Sequence, residues 1–326
     1  VSNLERDPAE VLVDDEPRIG DDAVEILEPR DVPLGGPRAM NVRRTLPQRR
    51  RSLIGGWCFI DHYGPDDVSA TGGMRVPPHP HTGLQTVSWL FEGEIEHRDS
   101  VGSHAMVRPG ELNLMTAGRG ISHSEVSTPQ TTRLHGVQLW VALPDRSRAT
   151  EPFFEHHVPV AGQLGAAEVR TFVGQLAGSG TDATVFSPLL GAELLVRGAG
   201  EIVVPLDASF EHGILVDAGD VSVAGVPVPR AHLAYLAPGR DAVTVTVGDG
   251  GARLVLLGGE PLDEQIVMWW NFIGRGHDEV VQFRSEWMRD VIDDEDAHGR
   301  FGTVAGYDGR ALPAPDLPTV RLKPRG

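Results

Sequence analysis

Leu112-Asn113-Leu114-Met115-Thr116-Ala117-Gly118-Arg119 returns in pattern as Leu233-Ala234-Tyr235-Leu236-Ala237-Pro238-Gly239-Arg240, a shift of 239 − 118 = 121 residues. Each copy is a short apolar run closed by Gly-Arg, which reads as a strand entering a tight turn. Upstream of each stands a second echo, Glu92-Gly93-Glu94-Ile95 against Ala218-Gly219-Asp220-Val221, with a shift of 219 − 93 = 126. The same order with a loop five residues shorter points to one β unit duplicated within the chain. Composition agrees. The 326 residues suit two domains of roughly 150 each. The 39 Gly and 25 Pro favour many short strands over long helices. The expected fold is all-β: two stacked β-barrels, a C-terminal amphipathic helix and extended termini.

The boundaries follow from local chemistry. Residues 1–30 are acidic, with Asp14, Asp15, Glu16, Asp21 and Asp22 close together, and read as a weakly ordered arm. The first barrel is expected over 31–150, with strand-forming types concentrated in Leu84-Gln85-Thr86-Val87-Ser88-Trp89-Leu90-Phe91 and an exit at Pro144-Asp145-Arg146-Ser147-Arg148. The second is expected over 165–262, where Ala242-Val243-Thr244-Val245-Thr246-Val247 alternates as a half-buried strand does. A helical segment follows over 263–298: from His277 to Ile292 apolar residues recur at helical spacing, with acids in the first turn. Residues 299–326, rich in Pro and Gly, read as an extended tail.

Charge and cysteine content narrow the function classes. Lys plus Arg number 29 against 46 Asp plus Glu, a formal charge of −17. Such a field repels phosphate backbones and anionic membranes, so direct nucleic-acid and membrane binding are not expected. One basic island, Arg43, Arg44, Arg49, Arg50 and Arg51, reads as a solvated strand pair and its turn, or as a small docking patch. Cys58 is the only cysteine and lies in the apolar run Trp57-Cys58-Phe59-Ile60, so a buried thiol in a reducing cytoplasm is expected. Val1 to Asp7 lack a basic-then-apolar signal pattern, and no run of about 18 apolar residues occurs.

The chemistry concentrates in two short pairs. His79-Pro80-His81 and His123-Ser124-Glu125 each place donors at i and i+2, which share one face of a strand. If the two strands are neighbours in the barrel, three imidazole nitrogens and one carboxylate oxygen converge on a single point. That donor set suits iron(II), and less specifically manganese, nickel, copper or zinc. A six-ligand metal so held would keep two positions open for dioxygen or a chelating substrate. Pro77, Pro78 and Pro80 stiffen the approach to the first pair, while Gly118 and Gly120 permit a sharp turn before the second. A single His-x-His is usually a surface coincidence. Here two pairs fall within residues 62–135, which hold seven of the 13 histidines (62, 79, 81, 97, 104, 123, 135). His62, His97, His104 and His135 read as structural or supporting. The two shifts set Pro205, Asp207, Thr244 and Thr246 opposite the four donors, so the second copy is expected to hold no metal, with His212 and His232 standing singly.

The runs Phe59-Ile60-Asp61-His62-Tyr63-Gly64-Pro65, Pro77-Pro78-His79-Pro80-His81, Glu94-Ile95-Glu96-His97-Arg98-Asp99-Ser100 and Thr116 through Glu125 together resemble the pirin family of bicupins. The resemblance is densest from about Arg43 to Leu143 and returns around Gly258-Gly259-Glu260-Pro261-Leu262. It implies two cupin-type, jelly-roll-like barrels, with iron in the first held by His79, His81, His123 and Glu125. Gln85 departs from the Glu more often found there, which bears on the charge around the metal and not on its ligands. By the same resemblance the activity is a quercetinase-like dioxygenation of a flavonol, catechol or other small enolic substrate with dioxygen, Glu125 taking the substrate's hydroxyl proton. The alternative, also associated with the family, is a regulatory protein whose iron oxidation state alters docking on a partner protein. A third reading keeps the metal for stability alone.

Overall fold

The computed structural model describes residues 24–34 and 40–326, and residues 1–23 of the acidic arm expected over 1–30 lie outside that range. Each barrel packs a seven-stranded sheet against a four-stranded one. In the first barrel the larger sheet runs Phe153–His157, Leu112–Thr116, Leu84–Glu92, Arg133–Ala142, Trp57–Asp67, Met40–Leu46, Arg30–Leu34; the smaller runs Arg75–His81, Ile121–Ser127, Ile95–Asp99, His104–Val107. The second barrel repeats this order with Glu25–Leu27, Leu233–Leu236, Glu211–Ala218, Ala252–Gly259, Leu189–Val196, Ala167–Val173, Gly162–Leu164 and with Gly200–Pro205, Ala242–Val247, Val221–Val223, Val226–Val228. The strand containing Leu112 and the strand beginning at Leu233 occupy the same slot, as a duplication requires.

The larger sheets stack back to back. Leu84 through Leu90 are therefore buried on both faces: Leu84, Thr86, Ser88 and Leu90 face into the first barrel, while Val87 and Trp89 face the second. Trp57, Ile60, Val137 and Leu139 meet Leu215, Leu233, Val255 and Leu257 across this interface, an apolar contact between two sheets that need no water on that side. Beyond it the second barrel is filled almost wholly by aliphatic side chains, among them Val204, Val243, Val245 and Leu254.

Three boundaries differ from the sequence-based expectation. The first barrel continues past 150, because Phe153–His157 pairs with Leu112–Thr116 at its edge. Residues 25–30 are not a loose arm: Glu25–Leu27 pairs with Leu233–Tyr235 of the second barrel, so the chain crosses from one barrel to the other before Arg30 enters the first. Segment 263–298 opens on a hairpin, Val267–Trp269 with Phe272–Gly274, before the helix His277–Trp287 and a π-helical turn Met288–Ile292. Val280, Phe283 and Trp287, on the buried face of that helix, pack on the hairpin together with Phe301 and Ala314 of the tail. Among the described residues no helix is long and apolar enough to cross a membrane.

Candidate metal centre

Strands Arg75–His81 and Ile121–Ser127 are antiparallel neighbours, with His123 directly opposite His79 and Ile121 opposite His81. The alternation of a strand turns His79, His81 and His123 to the same interior face. Their donor nitrogens lie within 4.8 Å of one another, and all three side chains are fully buried. The Nε2 atoms of His81 and His123 are 3.1 Å apart. The Trp140 ring stands edge-on to His81, 5.1 Å between centroids, and stacks on Phe59 at 4.0 Å, so the cluster sits against an aromatic wall.

Hydrogen bonds fix which nitrogen of His79 and of His123 is free to ligate. His79 Nδ1 donates to the Pro77 carbonyl at 2.7 Å, which leaves the Nε2 lone pair for the cluster. Asp99 accepts from His97 Nε2 at 3.1 Å, and its other oxygen takes the N–H groups of Val101 and Ser103. His97 Nδ1 then faces His123 Nδ1 at 3.4 Å as an acceptor, so His123 carries its proton on Nδ1 and offers Nε2 to the cluster. Burial pushes His79 down to about 4, and holds His81 and His123 well below the ordinary imidazole range, with neighbouring imidazoles adding to it. At neutral pH all three are uncharged, the protonation state a metal ligand needs.

Glu125 is placed differently from its neighbours. A β-bulge falls between His123 and Glu125, so Glu125 lies opposite Val76. It is buried, but its carboxylate stands outside the 4.8 Å cluster of the three histidines. Ser88 Oγ lies 3.3 Å from Oε1 and 2.9 Å from Gln138 Oε1. The Oε2 atom is buried without a hydrogen-bond partner. A carboxylate oxygen so placed is costly unless a cation or a proton reaches it, and it lies beside three buried imidazoles whose donor nitrogens converge. The residues therefore fit a divalent transition metal.

The remaining candidates find other partners. Gln85, on the opposite face of its strand, donates to Thr116 and to the Thr184 carbonyl and does not enter the cluster. Arg44 of the basic island is not solvated: it is buried, paired with Asp61 at 2.7 Å and lying over Phe59. Arg51 spans Glu25 and the Tyr235 ring. In the second barrel Thr244, Thr246, Pro205 and Asp207 are at least partly exposed, while Ile202, Val204, Val243 and Val245 occupy the inner face. The inner-face counterparts are thus aliphatic and are not the residues the two sequence shifts set opposite the donors, because a one-residue slip exchanges the faces of a strand. Among the described residues His212 is buried there outside any metal-ligand group, and His232 is half-buried in a loop.

A second group escaped the sequence reading. His62 and His135 of the first barrel both donate from Nε2 to Oδ1 of Asp217 in the second, at 2.7 and 2.5 Å. Arg253 meets Oδ2 at 3.3 Å, and Arg230 meets the Asp217 carbonyl. These are hydrogen-bond separations with Arg253 and Arg230 alongside, so Asp217 joins the two barrels through a buried ion cluster.

The Pirin family model matches residues 39–141, and the model of the pirin C-terminal cupin domain matches residues 192–292. A Pseudomonas aeruginosa protein named "Putative quercetin 2,3-dioxygenase" is 41% identical over 290 residues, covering 89% of each chain. A "Pirin-like protein" of Caulobacter vibrioides is 35% identical over 271 residues, covering 80% of this chain and 92% of that one. The crystal structure of a quercetin 2,3-dioxygenase from Acinetobacter baumannii has a TM-score of 0.85 at 36% identity, over 92% of this chain and 97% of the other. Two barrels of one strand order, the histidine cluster confined to the first, and relatives aligned along most of both halves lead to one assignment: this chain belongs to the pirin family.

Proposed function

We propose that this chain is a metal-dependent dioxygenase of the quercetin 2,3-dioxygenase type. It uses iron(II) held by His79, His81, His123 and Glu125, and acts on a flavonol, catechol or other small enolic substrate with dioxygen. The observation that carries this reading is the meeting of three uncharged, fully buried imidazoles beside a buried carboxylate with an unpartnered oxygen. The names of the Pseudomonas and Acinetobacter relatives give the same activity.

When bound, the metal supplies Lewis acidity and a route for electrons to dioxygen. The protein does the rest. His97 and the Pro77 carbonyl hold His123 and His79 in the tautomers that present Nε2. Glu125 Oε2 accepts the proton of the substrate hydroxyl, while Ser88 steadies Oε1. Phe59 and Trp140 wall the site and keep it dry, which strengthens each charge interaction within it. The test is an oxygen-electrode assay on the iron(II)-loaded protein with quercetin, simpler flavonols and catechols. Uptake is expected, and Glu125→Gln, which retains shape but cannot take the proton, lowers the turnover by roughly 100-fold. Absence of uptake with every such compound removes the proposal.

A further inference from the structure

Residues 293–326 lie beyond both matched family segments, yet much of this stretch is packed against the strands that carry the histidines. On strand Ile121–Ser127 the residues Ile121, His123 and Glu125 face inward, so Ser122 and Ser124 face out. Both serines are nonetheless 1% exposed. Over Ser122 the covering is the tail. Ser122 Oγ donates to the Phe301 carbonyl at 3.0 Å, and Arg300 donates to the Arg119 carbonyl at 2.9 Å. Gly306 lies so close to Arg98 that a Cβ there would stand 2.7 Å from its guanidinium. Arg75 donates to the Asp308 carbonyl and reaches over the Tyr307 ring.

At Leu312 the path crosses the open edge of the other ligand strand. Arg75–His81 is the edge strand of its sheet, and the Leu312 N–H donates to the Pro78 carbonyl at 2.8 Å. The Leu312 carbonyl in turn accepts from Trp287 Nε1 at 2.9 Å, so the helix holds the tail while the tail holds the strand. Two of these hydrogen bonds fall on the residues immediately before ligands: Pro78 before His79, and Ser122 before His123.

We propose that residues 299–312 form a positioning strap which holds the two ligand strands in place, so that the firmness with which the site keeps its metal is set partly from outside the barrel. The inference rests on the reading of His79, His81 and His123 as metal ligands. Its physical basis is that ligand nitrogens must be held to a few tenths of an ångström, and an edge strand without a partner is free to shift.

The test uses the full chain loaded with cobalt(II), whose visible spectrum reports ligand geometry. Ser122→Ala removes one strap bond. Trp287→Phe releases Leu312 while keeping an aromatic ring in the core. Trp57→Phe serves as control, since Trp57 Nε1 bonds to Leu190 and Gly258 in the other barrel, away from the strap. Cobalt release to a chelator is expected to accelerate about three- to tenfold in the double variant Ser122→Ala/Trp287→Phe, with an altered visible band. Ser122→Ala alone gives a smaller change of the same sign while its metal-free melting temperature stays at the parent value. Release rates and spectra equal to the parent overturn the strap, as does an equal acceleration in the Trp57→Phe control. A parent that takes up no cobalt sinks the metal reading and the strap with it; a parent that keeps cobalt beside indifferent variants sinks the strap alone.

Discussion

Asp217→Ala tests the ion cluster between the barrels. In the parent, Asp217 is fully buried and accepts from His62 and His135 through one oxygen while Arg253 meets the other. Burial alone would raise its carboxyl, but the hydrogen bonds from His135 and His62 outweigh that and hold it below the ordinary carboxylate range. Removing the carboxylate leaves two imidazole N–H groups and a guanidinium without their acceptor, although Arg253 keeps Glu193 at 3.1 Å. Orphaning buried partners of this kind costs about 3–5 kcal/mol. With a urea slope of roughly 3 kcal/mol per M for a chain of this size, the unfolding midpoint falls by about 1 to 1.7 M. The sign of the pH dependence follows from the depressed folded value: the contribution is complete above the unfolded carboxyl value of about 4 and is lost as pH falls through the lower folded one. The penalty of the substitution is therefore full at pH 7 and shrinks below about pH 4. In a double-mutant cycle, His62→Phe and Asp217→Ala couple by about 1–3 kcal/mol. A midpoint within the error of the parent at pH 7, with no coupling, refutes the clamp.

Two further predictions concern the buried histidines and the turn into the His123 strand. In the metal-free protein, burial depresses His79 and His212 to about 4, and His81, His123 and His62 also lie below the ordinary value of 6.5. Below pH 6.5 the unfolded chain takes protons that the folded one refuses, so stability is highest above 6.5 and declines as pH falls toward 4. The slope is up to about 1.4 kcal/mol per pH unit for each group, and urea midpoints that stay flat over this window contradict it. Gly118→Ala is expected to cost at least about 2 kcal/mol, because φ is +51° there and a Cβ would meet the Thr150 carbonyl oxygen at 2.0 Å. An unchanged urea midpoint for that variant would place no strain at the turn into the His123 strand.

The duplication and the three histidines were legible because their signals are local. An echo at a fixed shift survives in a single sequence, and a His-x-His pair needs only a strand to turn both rings one way. Glu125 shows where locality ends. The i, i+2 rule placed it on the inward face with His123, and it lies there, but the register shift in the facing strand sets it opposite Val76 and its carboxylate stands outside the histidine cluster. The extra residue lies in the facing strand, where Pro77 and Pro78 together stand opposite Ser124, and that Pro-Pro step is the local signal the i, i+2 rule passed over. The same one-residue sensitivity exchanged Thr244 and Thr246 for Val243 and Val245 on the inner face of the second barrel. Asp217 lies 155 positions from His62 and 82 from His135, and only the stacking of the barrels brings them together. Glu25–Leu27 sits in an acidic, aromatic-poor stretch, and its strand exists because the second barrel offers an open edge beside Leu233.

The claim beneath all of this is that His79, His81 and His123 meet at one metal. The direct measurement is the metal content of the parent and of the His79→Ala/His81→Ala/His123→Ala variant, both loaded anaerobically with iron(II) and desalted. The account predicts about one equivalent retained by the parent and essentially none by the variant, which stays folded because its two barrels pack on apolar contacts. A parent that emerges empty, or a triple variant that keeps the same content, contradicts it.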